Sequence, residues 1–552
     1  MKSTTALSSR GGRTSVQARL KLGSALAPLA FGMMGFAATP ATAQDACGAA
    51  PAGNGTVTCT SVGNAYGNGI SYSSQPNDLT VVLEDDLAVS TAAGNTPGVF
   101  VSGSGANAIT VSGSNASVVT SGTNSNGVEL TSTGGPVSVT IGDVTTSGSL
   151  AGGVRAIGGT DGDVTVMTGN VTTTGTDGSS FFFLPNSTGI TATASGTGTV
   201  TVTSGTIDTA GLGARGINAN AAAGDVIVTS GAVTTTGNNA IAVAANSDTG
   251  NVDVTATGAV STTGDSAQGI YATARNGSAA VTATTVATTG FNATGIQAIS
   301  GEGGSTVNFD EVTTAATFST GVIAGSTGGD VLITGGDVTA TGTSSSAIYG
   351  YSDVGAVTVT TTGDVASTGR GGFGIYAASD TGDVTVSANN VSTVAADPAD
   401  TATSRSAIYA QGANASVIVT GTAAMAGQAL YGGPANAVTV IATNGDASAD
   451  VNNVTSTGMN SDAVNVSATG GMAMINVDGA VSTTGDNSYG LYARGDEGVT
   501  VTGAGSVTTS GANANAVDAL STGGPVSVTI GDVTTSGSLA GGVRAIGGTD
   551  GD

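Results

Sequence analysis

The chain has 552 residues, among them 91 Gly, no His and no Trp, and only 9% of them are charged. Without His, the chain lacks the base of Ser-His-Asp and Cys-His catalysis and the commonest zinc ligand. The formal net charge of −25 repels nucleic acid and anionic lipid headgroups, which argues against both as partners. Abundant β-branched residues and only 10 Pro indicate folded repeats rather than disorder.

Residues 1–43 have the pattern of a signal peptide. The first 21 residues contain five basic and no acidic side chains, and a mostly small and apolar run follows from Leu22 to Ala38. Ala41, Thr42 and Ala43 then supply the small-x-small pattern of a signal peptidase site. We predict an extended signal peptide that is cleaved between Ala43 and Gln44, followed by an exported chain.

Residues 44–79 are predicted to form an N-terminal cap. This segment contains the only two cysteines of the chain, Cys47 and Cys59. In an oxidising compartment, two cysteines this close favour a single disulfide. We expect the bond to close a short loop at the N-terminal end of the repeats.

Residues 80–552 are predicted to form a repeat domain. Ser132 to Asp163 recur letter for letter as Ser521 to Asp552. Between the two copies lie looser repeats that begin with Gly-Asp-Val and contain Val-x-Thr-Thr-Gly. Repeats of this length indicate a solenoid, in which each unit buries its apolar face against its neighbours.

Each repeat contains three short segments of alternating apolar and polar residues. In one repeat these are Val226-Ile227-Val228, Val233-Thr234-Thr235 and Ile241-Ala242-Val243, separated by turn residues. Gly at this density opposes helices. We therefore predict an all-β fold, a right-handed parallel β-helix with about 17 coils of three short strands each.

Inward positions are expected to hold Val, Ile, Leu and Ala, and outward positions Thr, Ser, Asn and Asp. Aspartates recur in the Gly-Asp-Val corners, where the side chain suits a turn because it accepts a hydrogen bond from its own following backbone. A stacked column of acids could instead bind Ca²⁺, although the calcium-binding pattern G-G-x-G-x-D is not reproduced. No other cofactor is expected. The corner residues are Asp143, Asp163, Asp225, Asp330, Asp383 and Asp532.

A tyrosine series follows the inward Ile or Leu of the third strand and is one candidate binding surface. Equivalent positions in other coils hold polar residues, so we expect the series to face solvent. The rings could bind a glycan or a protein, or simply stack on one another and stiffen the solenoid. The series in consecutive coils is Tyr349, Tyr376, Tyr409 and Tyr431.

The coil that starts at Val164 carries an insertion with Phe181, Phe182 and Phe183, three of the ten Phe of the chain. Insertions in solenoids project from one face and are frequent binding sites. This loop is a second candidate binding surface. The alternative is that the rings fold back over the edge of a coil.

We predict no catalytic centre. Gly264-Asp265-Ser266 resembles a serine-protease motif, but its counterpart Gly485-Asp486-Asn487 indicates a repeat corner. Polysaccharide lyases and hydrolases on β-helices use clustered Asp with Arg or Lys and need no His. That activity stays open as an alternative. Acids and an Arg converging in one groove would favour it.

The leader, the cysteine pair and the Thr/Gly/Val-rich repeats together resemble the passenger region of a Gram-negative autotransporter. The resemblance implies export through the periplasm, display on or release from the outer membrane, and a role in adhesion, surface coating or biofilm contact. The implied partner is a surface glycan or protein, or a second copy of the chain. Two-partner secreted adhesins of the filamentous-haemagglutinin type are the nearest rival.

Autotransporters end in a β-barrel translocator with an aromatic last residue, whereas this chain ends in Gly551-Asp552, inside the second copy of the repeat. We therefore expect the sequence to be a fragment whose translocator, the only route to the outer membrane, is missing. A fragment without independent function is a further alternative.

Overall fold

The structure is a computed structural model that describes residues 47–61, 66–175, 187–394, 405–427 and 435–549. All of them belong to one compact unit, Ala43–Asp552. The described residues form 46 β-strands in two parallel sheets and no helix. Accordingly, no helix in this part of the chain is long and apolar enough to cross a membrane. Ala43 and Gln44, the predicted cleavage site, lie outside the described residues.

One strand per coil builds what we call the lateral sheet. Its strands are β2 (Ile70–Gln75), β5 (Val99–Gly103), β8 (Val128–Ser132), β11 (Val154–Gly158), β14 (Ile190–Ala194), β17 (Ile217–Ala221), β20 (Val243–Ser247), β23 (Ile270–Ala274), β25 (Ile296–Ser300), β27 (Val322–Ser326), β29 (Ile348–Ser352), β31 (Ile375–Ser379), β33 (Ile408–Gly412), β35 (Val438–Ala442), β37 (Val464–Ala468), β40 (Leu491–Gly495), β43 (Val517–Ser521) and β46 (Val543–Ile546).

The remaining strands build the main sheet. They are β1 (Gly55–Cys59), β3 (Leu79–Leu83), β4 (Ala88–Thr91), β6 (Ile109–Gly113), β7 (Ser117–Thr120), β9 (Val137–Ile141), β10 (Val144–Thr146), β12 (Val164–Thr168), β13 (Val171–Thr173), β15 (Val200–Ser204), β16 (Ile207–Thr209), β18 (Val226–Ser230), β19 (Val233–Thr235), β21 (Val252–Ala256), β22 (Val260–Thr262), β24 (Ala279–Thr288), β26 (Ser305–Thr314), β28 (Val331–Ala340), β30 (Val357–Ser367), β32 (Val384–Val394), β34 (Ala415–Ala426), β36 (Ala447–Ser456), β38 (Met472–Val477), β39 (Ala480–Thr483), β41 (Gly498–Thr502), β42 (Ser506–Thr509), β44 (Val526–Thr529) and β45 (Val533–Thr535).

Each strand pairs in parallel with the equivalent strand of the next coil. In the lateral sheet, 18 strands make 17 successive pairings, so the described chain completes about 17 turns. The predicted all-β parallel solenoid is thereby confirmed.

Two details of the coils differ from the prediction. In seven coils, from β24 to β36, the first two strands merge into one strand of 10–12 residues, because the chain stays extended through the corner between them. The third strand of the coil that starts at Val226 begins at Val243, where the predicted segment ended. The turn before it is therefore longer than expected.

Alternation along the strands places Val, Ile, Leu and Ala in the core, as predicted. Val226 and Val228, for example, are at most 1% exposed, whereas Ile227 between them is 41% exposed. Each buried Val or Ile contributes roughly 1.5–3 kcal/mol by leaving water. Because the same positions repeat in every coil, the core is a continuous stack of small aliphatic side chains.

The prediction that Thr side chains point outward is wrong for one column of Thr residues. In Val-Thr-Thr segments the second Thr returns to the side of the Val, because side chains alternate with period 2. Its hydroxyl donates to the carbonyl five residues later, as Thr235 does to Ala240 at 2.6 Å. This bond closes the turn that leads to the lateral sheet. Buried members of the column that make it are Thr120, Thr146, Thr209, Thr235, Thr262, Thr288, Thr314, Thr483 and Thr509.

The corner aspartates also differ from the prediction. They do not bond their own following backbone; their Oδ1 accepts the backbone N–H of the equivalent corner in the next coil. Because that corner is only ~4.8 Å away, the carboxylate reaches it directly. Asp532 uses its backbone carbonyl, which accepts from Val507 at 2.8 Å. The side-chain bonds, all between 2.7 and 3.1 Å, join Asp143 to Asn170, Asp163 to Thr199, Asp225 to Asn251, Asp330 to Ala356 and Asp383 to Asn414.

The predicted disulfide between Cys47 and Cys59 is present. Cys59 is fully buried at the end of β1, and β1 pairs with β3 in parallel. Tyr72 also donates its hydroxyl to the carbonyl of Gly48, at 2.9 Å. The disulfide thus ties the chain before the first coil to that coil, and the parallel ladder already includes Gly55–Cys59.

The turn before the lateral sheet contains one residue in the left-handed conformation in most coils. Ser266 and Asn487 have the same φ of 54°, which confirms that Gly264-Asp265-Ser266 and Gly485-Asp486-Asn487 are equivalent corners. Asn and Ser accept this conformation more readily than bulky residues. We call this row the turn ridge; its non-Gly left-handed residues are Asn95, Asn124, Leu150, Asn239, Ser266, Asn292, Phe318, Ser344, Asn460, Asn487, Asn513 and Leu539.

The buried Thr column can be tested with Thr235→Val. The substitution keeps the shape of the side chain but leaves the Ala240 carbonyl without its donor, which should cost about 1–3 kcal/mol. We expect faster amide hydrogen exchange in the turn of this coil. The control is Thr234→Val, which changes the outward neighbour. Equal exchange in both variants would contradict a structural role for the buried hydroxyl.

Candidate functional site

The second residue of each lateral strand forms a single outward column along the solenoid. Tyr349 is in register with Tyr376, and Tyr376 with Tyr409. The residue in register with Tyr409 is Thr439, so the tyrosine row ends there. Tyr431 lies outside the described residues. In other coils the same column holds polar residues, as expected. They include Arg155, Thr191, Asn218, Gln297 and Asp518.

The three tyrosine rings are stacked face to face. The ring centroids of Tyr349 and Tyr376 are 4.3 Å apart with planes inclined by 6°, and those of Tyr376 and Tyr409 are 5.2 Å apart with planes inclined by 2°. In-register parallel strands place equivalent side chains at about this spacing. The stack is therefore a direct consequence of placing Tyr at one position in three consecutive coils.

Two further aromatic rings extend the stack sideways. Phe373 lies three residues before Tyr376, and its centroid is 5.0 Å from that ring and 5.9 Å from Tyr409. Tyr351 approaches Tyr349 edge-on at 5.8 Å. Its ring covers Gly325 of the preceding coil, where an added Cβ would come within 2.3 Å of the ring. Small residues in neighbouring coils thus make room for the rings.

Arg405 completes the group. Its guanidinium carbon lies 5.2 Å from the centroid of Phe373, a cation–π contact. Tyr409 donates its hydroxyl to Gln411, the next outward residue of the same strand. We call the set of Tyr349, Tyr351, Phe373, Tyr376, Tyr409 and Arg405 the aromatic ladder.

All four tyrosines of the aromatic ladder are half-buried. Burial raises the pKa of the Tyr349, Tyr351, Tyr376 and Tyr409 phenols above the ordinary value. At neutral pH the four phenols are therefore uncharged, and the exposed Arg405 is the one charged side chain of the ladder. An uncharged aromatic surface suits packing against another apolar or weakly polar surface.

Stacking decides which ring surfaces are accessible. Both faces of Tyr376 are covered, one by Tyr349 and the other by Tyr409, so no sugar ring can lie flat on it. The outer edges and hydroxyls of the stack are what the ladder presents to solvent. Each stacked pair adds about 0.5–1.5 kcal/mol beyond the area that it buries. The geometry thus gives the ladder a structural role, whatever binds to its edge.

Phe181, Phe182 and Phe183 lie outside the described residues. In the described part of the chain, no group of three or more acidic or Cys side chains is placed to hold a metal ion. Among the described residues, two ion pairs are 3.0 Å or closer: Arg155 with Glu129 at 2.7 Å and Arg544 with Asp518 at 3.0 Å. Each joins one Arg to one acid of the preceding coil. They belong to the same outward column as the tyrosines.

A buried carboxylate near the C-terminal end of the column was not found from the sequence. Asp462 is 9% exposed and accepts hydrogen bonds from the Tyr489 backbone at 2.8 Å and from the Asn465 side chain at 2.9 Å. Its own N–H donates to Asn436 at 2.8 Å. The position corresponds to Phe373 in the aromatic ladder, three residues before the outward column. Aligning the coils on that column would have revealed both.

Burial raises the pKa of Asp462 from 3.8 to about 6; the bonds from Asn465 and Tyr489 oppose the shift, and Asp518 adds to it. A group whose pKa is higher in the folded than in the unfolded chain contributes fully to stability at pH values below its pKa in the unfolded chain. That contribution is lost as pH rises from about 4 through about 6. Ionisation of Asp462 at neutral pH therefore opposes folding locally.

Comparison of the chain with protein-family models, with curated proteins and with solved structures gives no match.

The stack predicts a specific response to substitution. Tyr376→Ala removes a half-buried ring and its two stacked contacts. The coils that the ring joins should therefore lose about 2 kcal/mol of local stability. Tyr376→Phe keeps both contacts and should have little effect. Hydrogen exchange of the strands that contain Tyr349 and Tyr409 measures the change, with Thr191→Ala as the control in the same column. Equal protection in all variants would show that stacking contributes nothing.

Asp462→Asn is expected to stabilise the chain at pH 8 and to leave its stability unchanged at pH 4. The removed penalty is up to about 3 kcal/mol, since one pKa unit corresponds to about 1.4 kcal/mol. Denaturant unfolding of both variants across this pH range measures the difference. A difference between the variants that does not change between pH 4 and pH 8 would contradict the raised pKa.

Proposed function

We propose that the chain is an exported cell-surface protein, a β-helical passenger of the autotransporter type that acts in adhesion, surface coating or biofilm contact. The observation that carries the proposal is the uninterrupted parallel solenoid of about 17 turns, whose outward column carries an aromatic ladder in a chain with only 4% aromatic residues. Solenoids of this kind offer extended surfaces rather than enclosed sites.

Several features support a chain that works outside the cytoplasm. The disulfide between Cys47 and Cys59 is a bond that persists in oxidising compartments. It lies directly after the segment with the pattern of a signal peptide. The surface is rich in Thr, Ser, Asn and Asp and contains no Lys after the leader. A surface of this composition stays hydrated and resists lateral aggregation.

The outward column supports a contact surface rather than a catalytic groove. Arg155 and Arg544 each pair with a single acid and thereby link neighbouring coils. The tyrosines that lie between them in the column pack on one another. The partner that this surface suits is a glycan or a protein at the edge of the aromatic ladder, or another copy of the chain.

The proposal is tested in cells that carry the native gene. Antibody against the solenoid should label intact cells, and external protease should remove the label while a periplasmic marker survives. Labelling only after the outer membrane is permeabilised would contradict surface display.

The role of the aromatic ladder is tested in the same cells. We expect that replacing Tyr349, Tyr376 and Tyr409 together by Thr, the residue at the equivalent positions 191 and 439, reduces attachment and biofilm mass while surface labelling persists. A matched variant changes Thr191 to Ser. Unchanged attachment at equal surface labelling would leave the ladder with a structural role alone.

A further inference from the structure

A second aromatic surface lies on the turn ridge and consists of Phe291 and Phe318. Phe291 is 49% exposed and Phe318 is 53% exposed. The two rings meet at right angles, with centroids 5.7 Å apart. Unlike Tyr349, Tyr376 and Tyr409 of the aromatic ladder, they are not stacked face to face. Sequence comparison of the coils could have found them, because equivalent ridge positions hold Asp265, Thr343 and Ser344.

The backbone at Phe318 makes the pair unusual. Phe318 has a φ of 58°, in the left-handed region that a bulky side chain rarely adopts. Seven of the equivalent ridge residues are Asn, which accepts this conformation at little cost. A bulky apolar residue here is unfavourable for the backbone and also exposes apolar area to water. Strain of this kind marks candidate functional positions.

The fold itself does not require Phe at either position. The Phe318 N–H donates to the Thr343 carbonyl at 2.9 Å, and the Asn292 N–H to the Thr317 carbonyl at 3.0 Å. These backbone bonds between neighbouring turns form with any residue that accepts the conformation. The Phe291 N–H donates to the Asp265 carboxylate at 2.9 Å, again through the backbone. The two side chains are therefore available for a ligand.

We infer that Phe291 and Phe318 form a binding site for a neutral, gluco-configured glycan. The two rings are perpendicular and about half exposed, so they form a corner with two aromatic surfaces that one pyranose ring can contact. Equatorial hydroxyls leave the faces of such a sugar lined with C–H groups, which pack on the negative face of an aromatic ring. Exposed hydroxyl, amide and carboxylate groups surround the corner in Asn292, Thr343 and Asp265.

Charge around the pair favours a neutral ligand. Asp265 lies on the coil before Phe291, and Arg370 lies two coils beyond Phe318 on the same ridge. Because one of these residues is acidic and the other basic, the ridge around the pair has no dominant charge. The chain as a whole carries −25, which repels anionic polysaccharides. The inference concerns a different surface from the aromatic ladder and does not depend on where the chain is displayed.

The experiment titrates the purified full chain with cellohexaose, laminarihexaose and chitohexaose, and with polygalacturonate as an anionic probe. Binding is followed by calorimetry and by magnetisation transfer from the protein to the sugar ring protons. The test variant is Phe318→Asn. It relieves the backbone strain, so its melting temperature should equal or exceed that of the parent chain. A loss of binding therefore cannot be assigned to unfolding.

Leu150→Asn is the matched control, because Leu150 occupies the same left-handed ridge position in another coil, with a φ of 59°. We expect at least one neutral oligosaccharide to bind with saturation, at least about tenfold more weakly to Phe318→Asn and with unchanged affinity to Leu150→Asn. The inference is overturned if no neutral probe binds, if Phe318→Asn binds as the parent does, or if only polygalacturonate binds.

Discussion

Hydrogen bonding between successive coils is the interaction on which the rest of the structure depends. A strand in a parallel sheet finds partners for its backbone groups only in its neighbours, and here each neighbour is the equivalent strand of the coil before or after. Register is therefore kept along nearly every strand segment, and in the merged strands shifts of one residue are confined to the corners, as between Gly335 and Val338. A one-residue slip would move every inward Val to the surface, so the alternating pattern and the backbone ladder enforce each other.

Stacking in register converts one residue choice into a column. A buried Thr in Val-Thr-Thr closes a turn in each of many coils, and a corner Asp reaches the N–H of the next corner. Tyr at the same outward position in three consecutive coils forms a stack of rings. Because each coil contacts mainly its two neighbours, stability is a sum of local contributions. A ligand site can then be placed on a few coils without disturbing the others.

The fold class could be predicted because period-2 alternation and repeats about 26 residues long leave few alternatives to a parallel solenoid. The tyrosine column was also predictable, since Tyr349, Tyr376 and Tyr409 follow an inward Ile in aligned repeats. The alternation along each strand also predicts that the second Thr of Val-Thr-Thr points inward. The polar character of Thr nevertheless favoured an outward position for every Thr. The position of a Thr in its strand, rather than the hydrophobicity of the residue type, decides whether its side chain is buried.

Other features depend on distances between coils that no single repeat contains. Bonds from corner Asp to the next coil arise because the coils are only ~4.8 Å apart, so that a short side chain and one hydrogen bond together span the gap. Covered ring faces in the aromatic ladder and the strained Phe318 follow from the geometry of stacked turns. The amino-acid composition favoured the Phe-rich insertion instead. Alignment of ridge positions would have shown Phe318 where most coils have Asn.

Register is also the claim that one measurement tests most directly. Thr255 and Thr282 are in-register partners in neighbouring coils, and both side chains point outward. Replacing both by Cys and oxidising the purified chain should form a disulfide, because paired strands lie ~4.8 Å apart, within the span of the bond. Trypsin then releases two linked peptides, since Arg275 lies between them. A link in the offset pair of Thr255 and Ala280, with none in the register pair, would contradict the account.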